Sequence, residues 1–248
     1  MLDLPKLDLK RTQQKIEEFL GKYDRVVLGI SGGLDSACVA TLATNALGKE
    51  NVLGVLMPDG EHDMKDAFDV VKKLGIEHKV EPIGPVLNGY AEMLGLDGEN
   101  RIALANIKAR TRMTALYYHA NKENRVVAGT GDRSEILVGY FTKYGDGGVD
   151  ILPIGNLYKT QVRELSREIG VPRRIIEKPS SPDLWKGQTA EGELGMSYEE
   201  LDRILYNVVD RGDASGCDKD KVAYVNRLIR RSAHKCAMPP VAEVVYRA

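Results

Sequence analysis

The 248 residues suffice for one large α/β domain, or for one domain with a helical appendage. Hydrophobic residues at 43% and charged residues at 29% provide for a packed core, and 35 basic against 36 acidic residues leave a net charge of −1. That balance excludes general attraction to nucleic acid or to an anionic membrane surface, so any anion site must be a local cluster. In chain order, Thr12 to Leu20 reads as a helix with Ile16, Phe19 and Leu20 on one face. Arg25 to Ile30 is a short apolar run ending in Gly and Ser, as a buried parallel strand would. Ser36 to Leu47 reads as a helix stopped by Gly48, Asn51 to Met57 as a strand, and Asp63 to Leu74 as a helix closed by Gly75. His78 to Ile83 is a third strand, Glu99 to His119 a long helix, and Arg125 to Thr130 a fourth strand. Beyond Pro153 the chain reads mostly helical, with loops near Pro179 to Glu193 and near Asp210 to Asp218.

Strands alternating with helices of this length predict a doubly wound α/β fold: a parallel sheet covered on both faces, with C-terminal helices packed on it. A single domain over residues 1–248 is expected. Ligands in such sheets bind at the carboxyl ends of the strands, beside the switch in strand order, so the informative loops should follow Ile30, Met57 and Thr130. Met1 to Lys10 alternates Leu with charge and lacks the apolar region of a signal peptide, and no apolar run is long enough to span a bilayer. Cys38, Cys217 and Cys236 are scattered and odd in number, which argues against a disulfide framework or zinc site and for a reducing, cytoplasmic setting.

The loop Gly29-Ile30-Ser31-Gly32-Gly33-Leu34-Asp35-Ser36 lies between strand and helix. Adjacent glycines expose consecutive N–H groups, the helix N-terminus adds its dipole, and Ser31 and Ser36 add hydroxyl donors, which together make an anion cradle. No Lys precedes Ser36, so this is not the Walker loop. Asp35 alone would repel phosphate; it makes sense with Mg²⁺ between them. The bland alternative is a glycine turn with an Asp-Ser helix cap. The hexapeptide Ser31 to Ser36 resembles the pyrophosphate loop of the N-type ATP pyrophosphatases, which cut ATP between the α and β phosphates.

Downstream stand Asn106 to Met113, Gly129-Thr130-Gly131-Asp132-Arg133-Ser134-Glu135, and Gly139-Tyr140-Phe141-Thr142-Lys143-Tyr144-Gly145-Asp146-Gly147-Gly148. Asp150, Leu157-Tyr158-Lys159, Lys178-Pro179-Ser180-Ser181, Glu193-Leu194-Gly195 and His234-Lys235 follow. Together these segments resemble the NAD synthetase family over nearly the whole chain. The resemblance implies an adenine nucleotide alpha-hydrolase-like, Rossmann-like fold. It implies a homodimer that adenylates the carboxylate of deamido-NAD with ATP, releases pyrophosphate, and displaces AMP with ammonia to give NAD. By the same resemblance Gly29 to Ser36, Thr130, Lys159 and Ser181 bind ATP, and Asp35 and Glu135 hold Mg²⁺. Arg110, Lys143, Asp150, His234 and Lys235 bind deamido-NAD, and Asp146 lies where ammonia attacks. A carboxylate there attracts ammonium and can take its proton.

Without the family, Glu135 reads as a first-turn helix acid, Lys159 as a surface lysine, Asp146 as a turn residue and His234-Lys235 as a basic helix end. Two departures stand out. The family commonly has Asp-Glu where this chain has Ala190-Glu191, on a segment that reads as a mobile lid, where an Asp would make a partly exposed contact. A cation usually follows His-Lys, where this chain has Cys236. The 248 residues leave no room for a glutaminase domain, so free ammonia or a partner protein is the expected nitrogen source. A tRNA thiolase of the same superfamily would want a basic surface and reactive cysteines. A non-catalytic nucleotide sensor need not keep Glu135, Asp146 and Lys159 together.

Overall fold

The computed structural model describes residues 2–60, 63–96, 100–182, 185 and 187–244. Among these, four parallel strands run in the order β3-β2-β1-β4, with β1 Val26–Gly29, β2 Val52–Leu56, β3 Glu77–Val80 and β4 Val126–Val127. The switch in strand order falls between β1 and β4, where the sequence places its ligand loops. β2 is buried at every position because helices cover both its faces, whereas β3 forms the sheet edge and is largely exposed. Helix α1 is Leu9–Leu20, α2 Leu34–Leu47 and α3 Lys65–Leu74. Eight residues of α2 are buried, on nearly all sides of the helix, because it is enclosed between the sheet, α1, α3 and the later α7 (Lys159–Glu168).

Two expectations need revision. Helix α4, Gly84–Leu94, was not anticipated: the sequence reading places no element between Ile83 and Glu99, yet proline at a first helical turn forfeits no hydrogen bond. The fourth strand is shorter than Arg125 to Thr130. Val127 N–H donates to Asp150 Oδ2 at 2.9 Å, and only a single parallel bridge, Ala128 with Ile151, extends the edge. Helix α5 covers Arg101–Glu123, one turn beyond His119; Glu99, where the sequence pattern begins that helix, lies outside the described residues.

The C-terminal half adds α6 Arg133–Val138, α8 Arg173–Glu177, α9 Ala190–Leu194, α10 Tyr198–Leu205, a π-turn Tyr206–Asp210 and α11 Lys219–Ser232. Helices α6, α9, α10 and α11 pack through a second apolar cluster that includes Val138, Tyr158, Leu194, Tyr198, Leu201 and Val225, whereas α8 adds Ile175 and Ile176 to the first. Gly139 ends α6 at φ 69° against α11; a Cβ there would lie 2.0 Å from Ser232 Cβ, so only glycine permits the approach. Residues 183, 184 and 186 of the segment read as a lid lie outside the described residues. No helix among the described residues is long and apolar enough to cross a membrane.

Candidate active site

The loop after β1 is held by its own serines. Ser31 N–H donates to Ser36 Oγ at 3.3 Å, the two hydroxyls lie 3.1 Å apart, and Ser36 Oγ donates to Gly33 O at 3.0 Å. Gly32 sits at φ 79°, and a Cβ there would meet Ala67 N at 2.8 Å, so the turn against α3 requires glycine. Gly33 is the N-cap of α2 and offers no side chain to the first-turn amides, which leaves that positive helix end open to an anion.

Beside the loop lies a buried charge cluster. Lys159 Nζ is 2.7 Å from Asp35 Oδ2, 2.8 Å from Asp132 Oδ2 and 2.8 Å from Glu135 Oε1. Lys159 and Asp132 are 0% exposed, and the Tyr198 ring centroid lies 5.2 Å from the ammonium. Each cluster residue is placed by a helix start: Asp35 in the first turn of α2, Asp132 and Glu135 as the capping box of α6, Lys159 at the first position of α7. Asp132 Oδ1 accepts from Glu135 N–H at 2.9 Å, and Glu135 Oε2 accepts from Asp132 N–H at 3.4 Å.

Three carboxylates against one ammonium leave an excess of two negative charges. Oxygens of all three lie within 4.8 Å of one another. Asp35 Oδ1 and Asp132 Oδ2 are buried without a well-directed hydrogen bond from any described residue. Hard oxygen donors, surplus charge and orphaned lone pairs fit a divalent cation such as Mg²⁺. Burial pushes Asp132 up to about 6, opposed by Lys159 and reinforced by Asp35. Burial, then the Asp132 charge, holds Glu135 well above the usual carboxylate range. Burial disfavours charge on Lys159 as well, but Asp132, Asp35 and Glu135 together raise it well above its ordinary value.

This sets a sign for stability against pH. The folded state keeps a proton on Asp132 that the unfolded chain, near 3.8, has released, so this contribution is present below pH 4 and lost as pH rises through about 6. In EDTA, urea unfolding should show wild type losing about 1 kcal/mol relative to Asp132→Asn between pH 5 and pH 7. A parallel response of the two proteins would contradict the buried-acid assignment.

The cluster opens on a cavity of about 460 Å³, within the range of nucleotide-sized pockets, bounded by the loops after β1, β2 and β4. Asp35, Ser36, Thr130, Glu135 and Ser181 line it; Lys159 stands behind them. Asp146 also lines it, from a turn in which its Oδ1 accepts from Thr142 N–H at 2.9 Å. Protein crowded about the Asp146 carboxyl raises it above its ordinary value, against the Thr142 amide and the charge of Lys235, although the residue itself stands exposed on its turn. Lys235 is in the wall too, donating to Gly139 O at 2.8 Å and Phe141 O at 2.7 Å.

The other residues expected at the second dinucleotide do not line this cavity. Arg110 donates to Lys143 O at 3.3 Å and Lys143 Nζ to His234 O at 2.5 Å, so these three form a separate patch at the surface. Asp150 is apart from both groups, its carboxylate engaged by Tyr117 Oη at 2.9 Å and by Val127 N–H. Ala190 is buried rather than partly exposed: as the first residue of α9 it turns onto the second apolar cluster, and its N–H donates to Ser180 O at 2.9 Å. Sequence reasoning missed Asp132, which its Asp-x-x-Glu spacing presents as a helix cap, and Tyr198, which no local motif marks.

Comparison with known proteins shows the family. The NAD synthase family model matches residues 9–239. The NH3-dependent NAD+ synthetase of Archaeoglobus fulgidus is 52% identical over 88% of this chain and 88% of its own. Among solved structures, the NMN synthetase from Francisella tularensis superposes with a TM-score of 0.87 at 33% identity, covering 96% of this chain and 100% of that one. The NH3-dependent NAD synthetase from Campylobacter jejuni gives 0.83 at 30% identity, again covering 96% and 100%. The chain belongs to the NAD synthase family.

Proposed function

We propose that this chain amidates deamido-NAD with ammonia at the expense of ATP, yielding NAD, AMP and pyrophosphate through an adenylated intermediate. The observation that carries the reading is the acidic cluster around Lys159, set beside an open helix N-terminus at the β1–β4 switch and facing the cavity. The amide end of α2, with Ser31 and Ser36, receives the β and γ phosphates; Thr130 and Ser181 hydrogen-bond the rest of ATP. Asp35, Asp132 and Glu135 would hold Mg²⁺, which when bound supplies charge neutralisation to the departing pyrophosphate. Lys159 adds a fixed positive charge beside the phosphates. Arg110 and Lys143, with His234 beside them, form a cationic rim suited to a dinucleotide's phosphates and nicotinate carboxylate, with Lys235 on the cavity side; Asp150 accepts from a ribose beyond Tyr117.

Asp146 draws ammonium into the cavity and accepts its proton, so that neutral ammonia attacks the adenylate. Asp146→Asn should slow amidation about a hundredfold while leaving adenylation within a fewfold. Rapid-quench analysis should then find adenylate accumulating; failure of adenylate formation itself would reverse the assignment.

The reading also takes residues 1–248 as a single catalytic domain, set in the reducing cytoplasm by its three free thiols. Val86, Met93 and Leu94 of α4 and Ile102 and Tyr118 of α5 expose apolar surface that no element among the described residues covers, which supports a homodimer through these helices. Sedimentation should give twice the chain mass, and Ile102→Lys with Met93→Lys should give monomers; a wild-type monomer at micromolar concentration rules this out.

The direct test of the function is product analysis with purified chain. NAD and AMP should form one for one from deamido-NAD, ATP and ammonium, and glutamine in ammonia-free buffer should give none. Amidation of nicotinate mononucleotide in preference to deamido-NAD would overturn the substrate reading.

A further inference from the structure

Helix α10 lies behind the acidic cluster and lines no part of the cavity. Its Asp202 is completely buried, and neutral donors from two other helices fill its carboxylate. Ser134 Oγ donates to Oδ1 at 2.5 Å, while Thr160 N–H and Thr160 Oγ donate to Oδ2 at 2.9 and 2.8 Å. Ser134 Oγ in turn accepts from Lys159 N–H at 3.0 Å. Ser134 sits between Asp132 and Glu135 in the first turn of α6; Lys159 and Thr160 open α7. One carboxylate therefore ties the turn that carries two of the acids to the turn that carries the lysine. It also sits at the positive end of α7, which favours its charge.

An apolar side chain here would strand the Ser134 and Thr160 donors, a need that any buried acceptor could meet. What Asp202 adds is geometry. Ser134 and Asp202 are 68 positions apart in the chain, and this bond fixes α6, α7 and α10 relative to one another. The same helix brings the Tyr198 ring to the Lys159 ammonium, and Asp210 in the following π-turn accepts from both Arg133 of α6 and Tyr158, the residue before α7.

We propose that Asp202 is a positioning residue that locks the first turns of α6 and α7 together, so that Asp132, Glu135 and Lys159 meet at the separations a divalent cation and ATP require. This rests on reading the cluster as the Mg²⁺–ATP site. A displacement of about 1 Å at such a site costs on the order of a hundredfold in rate.

The test uses Asp202→Asn and Ser134→Ala in the full chain, with Mn²⁺ as probe. Mn²⁺ binding is followed by electron paramagnetic resonance with ATP present and deamido-NAD absent, so no turnover intervenes. Asp202→Asn should fold with the circular dichroism of wild type, bind Mn²⁺ at least tenfold more weakly, and lose about ten- to a hundredfold in kcat, while KM for deamido-NAD changes less than threefold. Ser134→Ala removes the bond from α6 to Asp202 and the acceptor of Lys159 N–H but leaves both Thr160 bonds to Asp202, and should move the same quantities in the same direction by less. It carries the test if Asp202→Asn does not fold. A folded variant with wild-type Mn²⁺ affinity and kcat, altered only in melting temperature, overturns the proposal. Wild type that binds no Mn²⁺ with ATP, or Asp132→Asn that binds it unchanged, overturns instead the reading of the cluster on which the proposal rests.

Discussion

Replacing Lys159 by Met should destabilise the cation-free protein by about 3–5 kcal/mol and lower kcat at least a thousandfold. The side chain is fully buried and its ammonium is the one cation in contact with Asp35, Asp132 and Glu135 among the described residues. Removing it leaves three carboxylates in mutual contact, which the protein can tolerate only by protonating them or by opening. A divalent cation would take over the missing charge, so Mg²⁺ should raise the melting temperature of Lys159→Met more than that of wild type. Turnover should stay lost, because neutralisation beside the phosphates is lost with the ammonium. Thermal melts with and without Mg²⁺, paired with rate measurements, check both halves. A variant as stable as wild type in EDTA contradicts the charge assignment.

Asp35→Ala and Glu135→Ala should each abolish turnover, by on the order of a thousandfold or more, with the opposite effect on stability. Each deletion reduces the excess negative charge around Lys159 from two to one. The cation-free variants should therefore unfold at the same urea concentration as wild type or higher, and Mg²⁺ should stabilise them less. Loss of activity without loss of stability is the signature of residues held in a strained electrostatic arrangement for function. Near-normal NAD formation by either variant removes them from the metal site.

Much of this was legible because it is local. Val26 to Gly29 form the strand, Ile30 to Gly33 a turn, and Leu34 onward a helix, so one stretch of sequence specifies strand, loop and anion-binding helix end. What stayed hidden depends on partners far along the chain. Asp132 carries an Asp-x-x-Glu cap pattern, and only the approach of α7 turns that cap into part of a charge cluster. Asp202 has no motif around it; its meaning comes from Ser134 and Thr160. Lys159 reads as a surface residue because nothing nearby in sequence announces three acids. Asp150 matches a family position, but whether its carboxylate is free or held by Tyr117 is decided by how α5 crosses β4. Gly84, Pro85 and Gly89 concealed α4 for a different reason: its exposed helix relies on neither propensity nor a buried face that a pattern could reveal.

The central claim, that the site activates the carboxylate of deamido-NAD with ATP, is tested most directly by isotope exchange between labelled pyrophosphate and ATP in the absence of ammonia. Reversible adenylation predicts label entering ATP only when the chain, Mg²⁺ and deamido-NAD are all present, with Glu135→Ala inactive. Exchange that proceeds without deamido-NAD, or none in its presence while NAD still forms from ammonia, would contradict the account.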